Sequence, residues 1–310
     1  MQLHPGERIA AIIIVLLLVL DLTMILHAGQ AVDWIGYASA GAMGLAVFGI
    51  GQVYRFVGRD ERIAMTATAA GLFILFTLVA SLFNYLLLPV GGERIDTLLI
   101  AIDTRLGYSW PDLVAAVTQV PPLGSVLRFV YLSSLPQLVV VILVLGFAGR
   151  RDQLHRFLLT GLLGAILTIG IWTIAPSSGP SAYYDLPEHV ESALGIVVGS
   201  DYGAELNRLM ANGSSRISPK DALGLIAFPS FHTVMALMSV WFMASVRPLF
   251  PLFLSVNLLM VPAILVHGGH HLVDLAGGAV VFVLGLYASR KILAVPYFAT
   301  GSRAMGIQDA

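Results

Sequence analysis

The sequence predicts an all-α fold, a polytopic membrane helix bundle with about eight transmembrane helices. Two observations carry this prediction. Hydrophobic residues make up 57% of the 310 positions and charged residues only 11%, whereas soluble proteins are about a quarter charged. The apolar residues also form long runs, close to the roughly 20 residues that a helix needs to cross a bilayer. The chain is therefore expected to fold inside a membrane.

Eight apolar runs are long enough to be spanning helices. They fall at about 8–27, 34–53, 63–89, 126–147, 155–175, 229–246, 249–267 and 271–290. The first run is longer than the apolar core of a signal peptide, so we expect a spanning helix rather than a cleaved leader. Asp21, near the end of that run, is expected to lie close to the interface or to be hydrogen-bonded within the bundle.

The basic residues predict the orientation, because short cytoplasmic loops carry an excess of Lys and Arg. With the N-terminus inside, 11 of the 17 basic residues fall on the cytoplasmic side: Arg8, Arg55, Arg59, Arg62, Arg150, Arg151, Arg156, Arg247, Arg290, Lys291 and Arg303. The predicted topology is N-in and C-in. It places His232, the histidines of 267–271 and the loop 176–228 together on the outer side.

One membrane domain with three parts is expected. Residues 1–150 form the N-terminal transmembrane helices with an interfacial outer loop, 151–295 the helical core that carries the histidines, and 296–310 a cytoplasmic tail. The outer loop at about 90–125 is either an interfacial or re-entrant helix with an aromatic anchor, or an ordinary ordered loop. The loop from Ala175 to Ala227 opens with Pro176-Ser177-Ser178-Gly179-Pro180, which favours a turn and an anion-binding nest.

The net charge and the cysteine content exclude several classes of binding and catalysis. A formal net charge of -1 gives no basis for nucleic-acid binding, and the absence of cysteine removes disulfides and thiolate chemistry. The membrane is the expected partner, and any catalysis must use side chains other than cysteine. Ionisable residues inside apolar segments are the first candidates, since charge is costly there.

The stretch from Val266 to Asp274 places three histidines and a carboxylate in an apolar neighbourhood. His270 and Asp274 are four residues apart, so on a helix they would share a face. Asp274 can then accept the proton of one imidazole nitrogen, which leaves the other nitrogen unprotonated and nucleophilic. His270 is therefore the candidate nucleophile and Asp274 its orienting base.

A second stretch contributes another histidine and a hydroxyl group at the start of another apolar run. It is Phe228-Pro229-Ser230-Phe231-His232-Thr233. Pro229 suits the first turn of a helix, where free backbone amides and Ser230 would form an anion site. His232 lies in the same turn and could protonate a leaving oxygen. Together the two stretches suit covalent phosphoryl transfer.

Zinc binding is the rival interpretation. His232, His267, His270, His271 and Asp274 offer the nitrogen and oxygen ligands that zinc takes in proteins. The remaining histidines, His4, His27, His155 and His189, are expected to be peripheral to any site.

The two stretches resemble the second and third signature motifs of the type 2 phosphatidic acid phosphatase (PAP2) superfamily. The resemblance rests on Pro229-Ser230-Phe231-His232, on His270-His271-Leu272-Val273-Asp274 and on Gly277 and Gly278, and it covers about residues 155–290. The doubled histidine is more similar to the inositol-phosphorylceramide-synthase-like and sphingomyelin-synthase-like branch.

The resemblance implies a metal-independent reaction without a cofactor. The third-motif histidine, His270, would attack phosphorus, Asp274 would activate it, and the second-motif histidine, His232, would protonate the departing alkoxide. Ser230 would bind phosphate oxygens, and water or another alcohol would resolve the phosphohistidine. The resemblance also implies a bacterial inner membrane, with the site on the periplasmic side.

The sequence departs from the family pattern where positive charge is expected. The first motif would need basic residues at Trp172 and Gly179, and the Ser-Arg pair of the third motif meets Ala263 and Ile264. Candidate replacements, all on the predicted outer side, are Arg216, Lys220, Arg128 and His267. His271 is expected to be structural.

Two functions are compatible with these residues. The first is a membrane phosphatase or phosphotransferase that acts on a lipid phosphate or phosphodiester. The second is a non-catalytic transporter or lipid-binding protein that keeps the fold, as the missing basic residues permit. A purely structural membrane subunit is a third possibility. The oligomeric state cannot be predicted from the sequence.

Overall fold

The computed structural model describes residues 3–295, and it confirms the all-α fold. The predicted tail at 296–310 lies outside the described residues. Within 3–295 there are 13 α-helices and no β-strand beyond one isolated bridge between Val32 and Ile217. The helices are α1 Pro5–Ala28, α2 Trp34–Phe56, α3 Glu61–Leu86, α4 Asp96–Arg105, α5 Trp110–Thr118, α6 Pro121–Leu132, α7 Ser134–Phe147, α8 Arg151–Ile174, α9 Glu188–Leu194, α10 Ser200–Asn212, α11 Phe231–Met243, α12 Phe250–His267 and α13 Leu272–Ala294.

Six of the described helices, α1, α2, α3, α8, α12 and α13, are long and apolar enough to cross a membrane. A seventh span is possible if α5 and α6, which meet at a bend of 119°, are one broken span or a re-entrant loop. The predicted run 126–147 is divided between α6 and α7, and the run 229–246 is the 13-residue helix α11. Such a helix is only about 20 Å long. The number of crossings therefore stays a prediction.

The outer loop at 90–125 is helical rather than an ordinary loop, because it contains α4, α5 and the start of α6. Its aromatic residue, expected as an anchor at the membrane interface, is packed inside the protein. Trp110 is fully buried, and its indole Nε1 donates a hydrogen bond to the carbonyl of Leu265 at 3.0 Å. This contact ties α5 to α12 and so holds the loop against the helix that leads into the histidine cluster.

Arginines gather at one end of the bundle. Arg55, near the end of α2, makes two hydrogen bonds to the buried carboxylate of Glu7 in α1, at 2.8 and 2.9 Å. Arg62 of α3 lines one cavity with Arg150 and Arg151, which lie at the start of α8. The expectation that His4 and His155 are peripheral fits this end, since His155 lies 3.8 Å from Glu7.

The histidine stretches lie at the opposite end. Helices α8 and α13 are antiparallel, because Thr160 contacts Ser289 at 3.0 Å while Gly164, further along α8, packs against Gly285, which lies earlier in α13. The start of α13 therefore faces away from the arginine end. This separation agrees with the predicted grouping of the histidines on one side, while the direction of insertion stays a prediction.

The hydrogen-bonded alternative expected for Asp21 is not observed among the described residues. Its side chain is fully buried within the helix bundle, and neither carboxylate oxygen has a hydrogen-bond partner among the described residues. It lies on α1, outside both histidine stretches. It therefore contributes no side chain to the candidate site.

Candidate active site

His270 and Asp274 form a direct pair. Nδ1 of His270 lies 3.0 Å from Oδ2 of Asp274, and the same oxygen accepts the backbone N–H of His271 at 2.8 Å. His270 precedes α13 rather than lying on it, so the pair forms at a helix start and not along a helix face as the spacing had suggested. Among the described residues nothing bonds to Nε2 of His270, which leaves that nitrogen free to attack.

His232 lies in the first turn of α11, beside His270. The centroids of the two rings are 6.2 Å apart and the rings meet edge-on at 66°. The other side of His232 stacks on Tyr131 of α6, with centroids 4.4 Å apart. Within residues 3–295 neither ring nitrogen of His232 has a hydrogen-bond partner. Tyr131 was not predicted, because nothing in its local sequence marks it as a site residue.

The two motifs are held together by backbone contacts that glycine permits. Ser230 caps α11 by accepting the N–H of Thr233, and its own N–H donates to the carbonyl of Asp274 at 2.9 Å. A side chain at Gly278 would stand only 2.3 Å from the carbonyl oxygen of Ser230, and one at Gly277 would meet the ring of Phe228. The glycines therefore allow the starts of α11 and α13 to touch.

The Pro-Ser-Gly opening of the long loop does form an anion nest, but a protein carboxylate fills it. The backbone N–H groups of Ser178 and Gly179 donate to Asp96 of α4 at 2.9 and 2.8 Å. Asp96 is fully buried, and Tyr183 reaches the same carboxylate. Because Asp96 is far from this loop in the chain, no local sequence pattern indicates that the two would pair.

The missing basic residues have a structural explanation. A Cβ at Gly179 would stand 2.4 Å from the carbonyl oxygen of Gly269, and Gly179 has a φ of +80°. Trp172 is fully buried, and its indole donates to the carbonyl of Ser177 at 3.0 Å. Ile264 is also fully buried. The loop thus packs closely on Gly269, and the positions where the family pattern implies positive charge are buried or closely packed.

Gly179→Ala is therefore expected to destabilise the fold. The added methyl group meets a backbone oxygen and forces a positive φ on a residue with a side chain, which together cost roughly 2 kcal/mol or more. Thermal unfolding in detergent would measure the change. Gly91→Ala is the matched control, because a Cβ there meets nothing within 4 Å. Equal unfolding temperatures for the two variants would contradict the close packing at Gly179.

The candidate phosphate ligands are only partly brought together. Arg216 pairs with Asp33 at the start of α2, 3.2 Å away, and is exposed. In the described part of the chain, neither Arg216 nor Lys220 hydrogen-bonds or ion-pairs with the histidine site. His267 is buried, with Nε2 3.0 Å from the carbonyl oxygen of Gly124.

Two arginines contact the loop segments around the site, the candidate Arg128 from α6 and Arg94 from the segment before α4. Arg128 donates from Nε to the carbonyl of Gly195 at 2.9 Å. Arg94 donates from Nη1 to the hydroxyl of Ser178, at 3.2 Å, and to the side-chain oxygen of Asn207. Arg94 thus bonds directly to the loop that packs on Gly269. It was not among the predicted candidates, because it lies more than 80 residues before that loop.

His271 fits the expected structural role. It caps α13, and its Nδ1 lies 2.6 Å from Oδ2 of Asp103 in α4, while its Nε2 is 3.8 Å from Asp96. Burial lowers the pKa of His271, but the hydrogen bonds and negative charges of Asp96, Asp274 and Asp103 outweigh it and raise that pKa above its usual value. The histidine therefore connects α4 to the start of α13.

The zinc interpretation finds no ligand set. Across residues 3–295, no group of three or more His, Asp or Glu side chains is arranged to share a metal ion.

The comparison with protein families gives one match. A family model described as the PAP2 superfamily matches residues 97–288. The match begins well before the expected start of the resemblance at about 155, and so includes α5, α6 and α7. No curated protein and no solved structure matches the chain.

Proposed function

The chain belongs to the PAP2 superfamily, and from that premise we propose an integral membrane phosphatase or phosphotransferase that acts on a lipid phosphate or phosphodiester. The observation that carries the proposal is the His270–Asp274 pair beside His232, where neither Nε2 of His270 nor the ring of His232 has a hydrogen-bond partner among the described residues. A histidine oriented by a carboxylate, next to a second histidine, has the parts needed for nucleophilic catalysis with acid assistance.

The first step forms a phosphohistidine. Nε2 of His270 attacks phosphorus with its lone pair while the bond from phosphorus to the alcohol oxygen breaks. His232 donates a proton to that oxygen, so the alcohol leaves neutral. Asp274 accepts the Nδ1–H of His270 throughout, which fixes the tautomer and stabilises the positive charge that develops on the ring.

The second step returns the enzyme to its starting state. Water or a second alcohol attacks the phosphorus of the phosphohistidine, and the bond from phosphorus to Nε2 breaks. His232, neutral after the first step, accepts the proton of the attacking oxygen. A phosphatase and a phosphotransferase differ only in this acceptor. No metal or cofactor is required in either step.

Phosphate binding is proposed at the start of α11. Ser230 and the free N–H groups of the first turn favour an anion, as helix N-termini generally do. Arg216, Lys220 and His267 remain proposed phosphate ligands. The loop contacts of Arg128 support keeping this candidate, and those of Arg94 support adding Arg94. Cations at such positions would stabilise the charge of the transition state, where one lost contact costs about 3 kcal/mol.

The substrate branch and the location are also proposals. The doubled histidine supports the inositol-phosphorylceramide-synthase-like branch, in which a head group is transferred to an alcohol. The gathering of arginines at the other end of the bundle supports a cytoplasmic position for that end. The histidines would then face the periplasm of a bacterial inner membrane.

A second function is favoured by one observation. The positions where the family pattern implies positive charge hold Trp172, Gly179 and Ile264, and all three are buried or closely packed. A non-catalytic transporter or lipid-binding protein that keeps the PAP2 fold would have no need for these charges.

Turnover by purified protein distinguishes the two functions. Phosphatidate, an isoprenyl pyrophosphate and a phospholipid with an added alcohol are supplied in turn, with a chelator present. Release of phosphate or exchange of the head group is expected in at least one case. Binding of these lipids without any turnover would favour the non-catalytic function, and activity lost to the chelator and restored by zinc would favour a metal enzyme.

A further inference from the structure

A cavity of about 470 Å³ lies beside His232, within the range of protein sites that hold small ligands. Helices α3, α7, α8 and α11 and the segment 223–226 surround it. Its wall is almost entirely apolar, with side chains such as Phe73, Phe76, Leu138 and Met238. Along α8 the cavity runs from Phe157 to Ile169, a distance of roughly 18 Å at the helical rise of 1.5 Å per residue.

His232 connects this cavity to the site. Its ring faces His270 and also lines one end of the cavity. In the proposed reaction His232 protonates the leaving oxygen, so the group attached to that oxygen must begin near His232. An apolar substituent on that oxygen would find matching apolar surroundings along the cavity wall. Helix α3, which supplies part of this wall, precedes the segment matched by the family.

Two of the polar side chains on the cavity wall carry an atom without a hydrogen-bond partner among the described residues. Asn84 of α3 and Thr168 of α8 line the cavity, and the Oδ1 and Oγ1 atoms of these residues have no hydrogen-bond partner among the described residues. Buried polar atoms are seldom left unpaired, because their lost hydration is not recovered. Both residues lie in the last part of their helices, which is the histidine end of the bundle. A ligand with a polar group close to its phosphate could satisfy them.

We infer that the cavity holds the hydrocarbon chain of the lipid alcohol that the reaction releases, and that Asn84 and Thr168 hydrogen-bond a hydroxyl, ester or amide group near its phosphate end. This inference rests on the proposed phosphoryl transfer and names the substrate class for it: a phosphate ester of a long-chain lipid alcohol with a polar group close to the ester oxygen. Asn84 and Thr168 are specificity-determining residues in this reaction.

Chain-length dependence tests the cavity. Gly161 lines it, and a side chain there would first meet the flexible end of Met238, whereas Gly170 on the same helix faces open space. Gly161→Leu is expected to lower kcat/KM for a long-chain alkyl phosphate by about tenfold or more, because several methylene contacts are lost. The rate with butyl phosphate is expected to stay unchanged, and the control Gly170→Leu to change neither rate.

A comparison of two other substrates tests the role of Asn84 and Thr168. Wild type is expected to prefer lysophosphatidate to an alkyl phosphate of the same chain length. The double variant Asn84→Leu/Thr168→Val is expected to reduce that preference about fivefold or more, since two hydrogen bonds are lost. Thr173→Val, on the exposed side of α8, is the matched control.

The outcomes separate the inference from the proposed function. If wild type turns over none of these esters, the phosphoryl transfer fails and the inference fails with it. If wild type is active but Gly161→Leu lowers the short-chain and long-chain rates equally, or lowers neither, the cavity does not hold the chain. Ala165→Leu, which fills the same cavity, repeats the test if Gly161→Leu does not purify as folded protein.

Discussion

His270→Ala is expected to lower turnover of a lipid phosphate by about a thousandfold or more, since removal of a catalytic nucleophile abolishes the covalent route. In the described part of the chain, His270 is the only residue whose side chain bonds to Oδ2 of Asp274. No other side chain is therefore oriented to take the place of its imidazole. Rates with detergent-purified protein measure the loss. Radiolabelled substrate is also expected to label wild type on histidine and to leave the variant unlabelled.

The control for this variant is His189→Ala. His189 is exposed on the short helix α9 and outside the histidine stretches, so its loss is expected to leave the rate within about twofold of wild type. Equal thermal stability of the two variants would show that the loss at His270 is chemical. Undiminished turnover by His270→Ala would place the nucleophile elsewhere.

The central site was predictable because its contacts are local or lie at helix starts. Four residues separate His270 from Asp274, and a carboxylate at the third position of a helix reaches back to the groups just before it. His232 follows the cap residue Ser230, although Pro229 lies before this cap and not in the first turn of the helix as predicted. These short-range patterns predict the positions of His270, Asp274 and His232, the residues proposed as nucleophile, base and acid.

The contacts around the site were not predictable, because they join residues that are far apart in the chain. Asp103 bonds to His271 across 168 residues, and Arg94 bonds to Ser178 across 84. Tyr131 stacks on His232 from a helix that was expected to be one unbroken span with α7. Hydropathy identifies apolar runs but does not show where one run divides into two helices. The division at Ser133 and the bend between α5 and α6 were therefore not predicted.

The environment of Trp110 was also not predictable from its local sequence. An aromatic residue beside mixed charges is typical of a membrane interface, yet this one is buried and hydrogen-bonded to α12. Tertiary packing has overridden a local preference. The consequence for the site is direct, since Trp110 helps to fix the segment whose Tyr108 hydroxyl donates to the carbonyl of His270 at 3.1 Å.

The variant His232→Ala tests whether His232 protonates the leaving group, separately from the attack by His270. With an alkyl phosphate, whose leaving alkoxide is strongly basic, the variant is expected to lose roughly a hundredfold to ten-thousandfold in rate. With a nitrophenyl phosphate the leaving phenoxide is stable without a proton, so the loss is expected to stay below about tenfold. Parallel rate measurements on the two substrates give the contrast.

The matched control for this contrast is His270→Ala, which removes the attacking nitrogen and should therefore abolish turnover of both substrates alike. Tyr131→Phe keeps the ring that stacks on His232 and is expected to preserve the wild-type ratio of the two rates. A similar loss with both leaving groups in His232→Ala would mean that His232 does not protonate the leaving oxygen. Its position beside His270 would then serve substrate placement, because a placement role affects both esters whatever the basicity of the group that departs.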